Sequence, residues 1–279
     1  MKTLGIIAGG GALPSAVAQS VQQSGSSVFI VALRGAAEDA IGRFPHEWVS
    51  LGEAGKILRL LRAHGCTDVL LAGGVSRPRF SELKTDARGV LLMPRIAVAA
   101  RRGDDALLRA LTDILTEEGF HPVGIAEAAP ALIATEGSLG RTKPDTENAR
   151  DIAIGIKVVR ALGALDVGQA AVVCAGLVLA LEAAEGTDAM IARAGGLPET
   201  VRGTPEQRRG VLVKALKPTQ DGKTDLPVIG LQTVQRARDS GLAGIAVEAG
   251  RSLIVEREAV IAAADCEGLF VFGFAPGAE

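Results

Sequence analysis

Two glycine clusters, each closing a short apolar run, constrain this chain more than any other feature. Leu4–Ala8 ends in Gly9-Gly10-Gly11, and Val69–Ala72 ends in Gly73-Gly74. Short apolar runs bounded by glycine read as buried strands, and the glycines let the backbone turn sharply into the next element. A helix is expected from about Leu13, with Pro14 in its first turn, where a missing N–H costs little. Val28–Ala32 reads as another strand. Over Glu53–His64, residues Ala54, Ile57, Leu58 and Leu61 share one helical face, and Gly65 stops the helix. Leu107, Leu108, Leu111, Ile114 and Leu115 make a similar stripe along Asp105–Glu118. Alternating strands and helices predict an α/β fold that begins with a Rossmann-like parallel sheet.

The pattern changes after residue 133. Residues 134–144 are polar, rich in glycine and carry Pro144, which predicts a linker between a first domain (1–133) and a second (145–279). The second should open with a long helix from Asp145 to about Leu162. Ala170–Cys174 and Leu177–Glu182, separated by Ala175-Gly176, predict a hairpin. Further strands are expected at Val211–Leu216, Ile245–Glu248, Ser252–Glu256 and Leu269–Phe272, with helices from Thr187 and over Thr233–Ser240. The expectation is a second α/β domain with mixed or antiparallel strands.

Composition excludes several function classes. The formal net charge is −2, from 30 basic and 32 acidic residues, so a basic face for nucleic acid is not expected. Aromatics are 3% with no tyrosine, a poor supply of stacking platforms for single strands. Three scattered cysteines make neither a disulfide framework nor a zinc site, and fit a reducing cytoplasm. The longest apolar stretch, Ala170 to Leu181, falls short of the roughly 20 residues of a membrane span. The three histidines have no ligand spacing to one another, and no Gly-x-Ser-x-Gly occurs.

What remains is glycine, lysine and carboxylate. Glycines at the carboxyl ends of parallel strands, here Gly10, Gly11, Gly73 and Gly74, lie where open sheets bind ligands, and a helix N-terminus behind the first cluster suits phosphate. The dinucleotide fingerprint is incomplete, because Pro14 stands where its last glycine belongs. Gly222-Lys223-Thr224 is not a P-loop, since Lys217 replaces the upstream glycine. Asp104 opens the striped helix, and Thr187-Asp188 opens another; capping alone accounts for both. From Lys214 to Pro227 the chain carries Lys214, Lys217, Asp221 and Asp225. A solvated hairpin tip would explain that composition. So would chemistry: lysines neutralise phosphate oxygens while aspartates hold a hard divalent cation, Mg²⁺ or Mn²⁺.

Taken in order, Gly9-Gly10-Gly11-Ala12-Leu13-Pro14, Gly74-Val75-Ser76-Arg77-Pro78, Gly103-Asp104-Asp105, Asp166-Val167-Gly168-Gln169, Glu182-Ala183-Ala184-Glu185-Gly186-Thr187-Asp188 and Gln220-Asp221-Gly222-Lys223-Thr224-Asp225-Leu226-Pro227 resemble the UDP-2,3-diacylglucosamine pyrophosphatases of lipid A biosynthesis, the type distinct from the metallophosphoesterases. The resemblance covers essentially the whole chain. It implies Mg²⁺-assisted hydrolysis of the sugar nucleotide to UMP and 2,3-diacylglucosamine 1-phosphate, two domains with the active site between them, and a catalytic aspartate at Asp225. It also implies an amphiphilic lipid substrate met at the inner-membrane surface, with homo-oligomerisation open. On this reading Asp225 and Asp221 hold metal and Lys214 clamps phosphate. Asp104, Gln169, Thr187, Asp188 and the four glycines would contact substrate. Two rival readings remain: an NAD(P)-dependent oxidoreductase, and a carrier that binds nucleotide or lipid without turnover.

Overall fold

The structure, a computed structural model, describes residues 3–75, 84–217 and 226–277, apart from the side chains of Asp104 and Asp105. The chain divides into two compact units, Met1–Ala131 and Leu132–Glu279.

The first unit begins with β1 (Thr3–Ala8), α1 (Leu13–Gln23), β2 (Ser27–Leu33), β3 (His46–Val49), α2 (Ala54–Ala63) and β4 (Cys66–Ala72). It continues with α3 (Ala87–Arg101), α4 (Asp104–Glu117), β5 (His121–Pro122) and α5 (Ile125–Ala128). The five strands pair in parallel in the order β3-β2-β1-β4-β5. This is the Rossmann order, with its reversal between β1 and β4. Phe29, Val31 and Leu33 alternate onto one sheet face and meet Ile57, Leu58 and Leu61 of α2 and Leu115 of α4. The α2 stripe read from the sequence is therefore the buried face.

Asp86 ties two helices of this unit together. Its carboxylate caps α3 by accepting from Gly89 N–H at 2.8 Å. It also accepts from Gly55 and Lys56 N–H, 3.1 and 2.9 Å away in the first turn of α2. Burial pushes this carboxyl up, but the three backbone N–H groups and Arg59 outweigh it and hold it below the usual range.

The second unit runs β6 (Gly137–Ser138), α6 (Thr146–Ala164), β7 (Ala170–Cys174), β8 (Leu177–Leu181), α7 (Gly186–Gly195), β9 (Val211–Lys214), β10 (Val228–Ile229), α8 (Leu231–Asp239), β11 (Gly244–Glu248), β12 (Leu253–Ile254), α9 (Arg257–Glu267) and β13 (Phe270–Phe274). Its main sheet has the order β6-β13-β11-β9-β7-β8. The strands β13, β11 and β9 are parallel, while β6, β7 and β8 run antiparallel to their neighbours. A separate pair joins β10 to β12. Strand alternation sorts the core into two layers. Ala171, Val211 and Val213 pack with Ile152, Ile156 and Val159 of α6. Ala170, Val172 and Leu212 pack on the other face with Met190 and Ile191 of α7, Val234 of α8 and Val260 of α9.

The predicted hairpin forms as β7–β8, and its turn explains itself. Ala175 and Gly176 take positive φ, and their N–H groups donate to the buried Asp151 carboxylate at 3.0 and 2.7 Å. The long helix also forms, capped by Asp145. Residues 134–144 are not a free linker. Ala134 is buried in the second unit's core, Gly137–Ser138 pairs with β13, and Leu139 N–H donates to Val271 O at 2.9 Å. Composition suggested a solvated tether, but backbone hydrogen bonding to a distant strand decided the outcome. Among the described residues no helix is long and apolar enough to cross a membrane.

Candidate active site

The two glycine clusters of the first unit meet each other. Gly10 N–H donates to Gly74 O at 2.7 Å, and Gly74 N–H returns to Gly10 O at 3.2 Å. This bridge sits where the strand order reverses. A Cβ on Gly10 would lie 2.9 Å from Ala36 O, and one on Gly73 would lie 2.5 Å from Gly10 O. These two glycines are thus required by close backbone approach. Gly11 and Gly74 differ: a Cβ there would meet nothing within 4 Å among the described residues. Behind them α1 starts without a side-chain cap, leaving first-turn N–H groups available, although Gly11 N–H already lies 3.4 Å from the Glu38 carboxylate. Asp104 is the first residue of α4.

The second unit holds a polar pocket of about 360 Å³ lined by Glu185, Gly186, Thr187, Asp188, Lys214, Val228 and Thr233. Three of the residues singled out from the sequence, Lys214, Thr187 and Asp188, come together here. Lys214, 4% exposed as a residue, ends β9, a strand buried along its length, and reaches the pocket from the sheet. Thr187 and Asp188 stand in the first turn of α7, whose cap residue Glu185 makes no side-chain cap bond. Thr233 stands in the first turn of α8, and its hydroxyl accepts from Gly230 N–H at 3.2 Å.

The polar side chains form a connected network. Lys214 Nζ donates to Thr187 Oγ1 at 3.0 Å and to Val228 O at 2.9 Å. Thr187 Oγ1 donates to Glu182 Oε1 at 2.6 Å, so this hydroxyl serves the network rather than the helix cap. Glu182 follows β8, is 7% exposed, and accepts from Gln169 N–H at 3.0 Å through Oε2. Glu182 stands in a motif that carries the resemblance but is not among the site residues expected from the sequence. Gln169 does not line the pocket. Its C=O receives Ala215 N–H at 3.1 Å, and its buried Oε1 has no hydrogen-bond partner among the described residues. Glu185 is held by its own backbone N–H and then by Arg193, 2.7 Å away, which keep its carboxyl below the usual range.

A buried lysine beside the uncapped N-terminus of α7 is suited to phosphate oxygens. Hard-oxygen donors, namely the carboxylates of Asp188 and Glu185, two threonine hydroxyls and the Val228 carbonyl, suit Mg²⁺ better than a soft metal. Among the described residues no group of three or more histidine, cysteine, aspartate or glutamate side chains is placed to hold an ion. Asp221 and Asp225 lie outside the described residues. Arg208 and Arg209, a basic pair in the sequence, are engaged with Glu267 and with Glu147 at 3.0 Å.

Comparison with known proteins covers both units. Residues 3–132 match the family model described as the LpxI N-terminal domain, and residues 135–272 the LpxI C-terminal domain. The UDP-2,3-diacylglucosamine pyrophosphatase LpxI of Caulobacter vibrioides is 51% identical over 99% of each chain. Among solved structures, the UDP-glucose 4-epimerase of Thermus thermophilus complexed with NAD aligns at TM-score 0.30 and 14% identity, covering 100% of this chain and 88% of the other. A CobK precorrin-6A reductase aligns at TM-score 0.27 and 15% identity, covering 100% and 90%. Similarity that low carries no argument, and the oxidoreductase alternative finds no support. With both domain models matched across nearly all of its length, the chain belongs to the LpxI family.

Proposed function

We propose that this chain hydrolyses UDP-2,3-diacylglucosamine to UMP and 2,3-diacylglucosamine 1-phosphate in lipid A biosynthesis. The supporting observation is the Lys214–Thr187 pocket at the uncapped start of α7, in a chain half identical to an enzyme of that name. Water attacks one phosphorus of the pyrophosphate, and the P–O bond to the bridging oxygen breaks. Negative charge grows on the departing phosphate. Lys214 and the first-turn N–H groups of α7 stabilise that charge where it develops. Removing one such donor in comparable sites costs about 10²–10³ in rate.

Asp225 and Asp221 would hold Mg²⁺ or Mn²⁺, with Asp188 at the pocket wall. Asp225 stands only three residues before Val228 in the chain. When bound, the metal supplies charge shielding and water activation. Gly11 and Gly74, which no described residue crowds, are proposed for the nucleotide end. Turnover in ¹⁸O-labelled water followed by mass spectrometry tests the reaction: the label must appear in UMP or in the sugar phosphate. No UMP release from the purified chain would overturn the reading, leaving the non-catalytic carrier.

The substrate is an amphiphile, and contact with the cytoplasmic surface of the inner membrane is part of the proposal. Its support is α3, which exposes Val90, Leu91 and Val98 at 58%, 69% and 53% and ends in the exposed pair Arg101-Arg102. Leu91→Ser with Val98→Ser should weaken cosedimentation with anionic vesicles. Unchanged cosedimentation would move the contact elsewhere.

A further inference from the structure

Glu182 is a buried carboxylate with no catalytic assignment, and it touches the pocket only through another residue. Its two oxygens have separate tasks. Oε2 is fixed by Gln169 N–H at 3.0 Å, and Oε1 takes the Thr187 proton at 2.6 Å. Backbone packing leaves the carboxylate little freedom. Glu182 N–H donates to Ala170 O at 2.9 Å, and Gly168 lies against the Glu182 carbonyl so closely that a Cβ would collide with it.

An ionised carboxylate only accepts hydrogen bonds, and a threonine hydroxyl has a single proton. With that proton committed to Glu182, Thr187 can offer Lys214 only lone pairs. The 3.0 Å contact from Lys214 Nζ uses such a lone pair, since an ammonium only donates. We infer that Glu182 is a positioning residue: it sets the Thr187 hydroxyl as an acceptor and thereby fixes the Lys214 ammonium in the phosphate pocket. The inference rests on reading that pocket as the site of the pyrophosphate. A glutamine at 182 has one oxygen for two donors. Its NH₂ would either face Gln169 N–H or compete with Lys214 for the Thr187 oxygen.

The test is a double-mutant cycle of Glu182→Gln and Thr187→Val, with Thr187→Ser as the conservative control. Each protein is assayed for UMP release from UDP-2,3-diacylglucosamine and for binding of inorganic pyrophosphate by calorimetry. Glu182→Gln and Thr187→Val should each lower kcat/KM by about 10- to 100-fold, and the double variant should be no worse than either alone. Thr187→Ser should stay within about threefold of wild type, because it keeps the hydroxyl. Pyrophosphate affinity should fall about tenfold with the same coupling. If Glu182→Gln costs the same factor in the Thr187→Val background as in wild type, Glu182 acts independently of Thr187 and the inference fails. It fails equally if Thr187→Val retains wild-type activity and binding. Should Glu182→Gln not fold by circular dichroism, Glu182→Asp, which shortens the reach to Thr187 by one methylene, takes its place in the cycle with the same expected coupling. A wild type that releases no UMP would remove the hydrolase reading, while the pyrophosphate arm would still judge Glu182.

Discussion

Lys214 Nζ lies 3.0 Å from Thr187 Oγ1, which joins the last residue of a buried strand to the first turn of a helix across 27 positions of sequence. Neither residue type is unusual. The juxtaposition matters because it holds the ammonium of a buried lysine at a helix N-terminus, where an anion is stabilised by dipole and charge together.

Lys214→Met should therefore lower kcat/KM by about 10²–10³-fold. Methionine retains the stem's packing, so the thermal midpoint should move by only a few degrees. Steady-state UMP release and a melting curve check this together. A variant within tenfold of wild type would exclude Lys214 from transition-state stabilisation.

Asp225→Ala should abolish turnover while the circular dichroism spectrum is retained, and substrate should still bind. A residual rate above about a tenth of wild type, a barrier change under about 1.4 kcal/mol, would show that Asp225 is not the central residue.

Chelation gives an independent check. Activity should vanish in EDTA and return with Mg²⁺ or Mn²⁺, because the pocket's donors are oxygens. Full turnover after exhaustive chelation would remove the metal role given to Asp221 and Asp225.

Acid stability of the first unit should depend on Asp86. Its folded carboxyl holds a proton less tightly than the unfolded one, so its contribution is present above about pH 4 and is lost as pH falls through the folded value. Asp86→Asn keeps an acceptor oxygen but cannot serve the N–H groups of both helices. It should cost about 1–2 kcal/mol near neutrality and flatten the acid limb of the denaturation midpoint against pH. An unchanged acid limb would assign the dependence to other carboxylates, Glu118 with its Arg62 and Arg88 partners first.

Local signals carried much of the architecture. Glycine-ended apolar runs gave β1 and β4, and the Ala175-Gly176 break gave the β7–β8 turn. Helix α3 escaped notice because Gly89 and Pro94 interrupt its pattern, although Asp86 caps it and Pro94 sits inside it. Strand β6 escaped because two residues carry no periodicity, and its partner lies far along the chain. The site was legible as residue types and not as geometry. Lysine, threonine and aspartate were visible, but Glu182 becomes meaningful only once β8 and α7 bring its carboxylate to Thr187. The glycine turns were read as room for a ligand, yet Gly10 bridges Gly74 through the backbone and Gly73 packs against the Gly10 carbonyl.

The two-residue strand Gly137–Ser138 has a practical consequence for dissecting this protein. It covers the outer edge of β13, whose sequence Phe-Val-Phe-Gly-Phe has no charge or proline to discourage pairing. A fragment beginning at residue 145 would bare that edge and lose Ala134 from the core, inviting self-association through the phenylalanine strand. A cut at residue 132 keeps the guard in place, so the boundary chosen for a fragment decides whether the edge of β13 is free to pair.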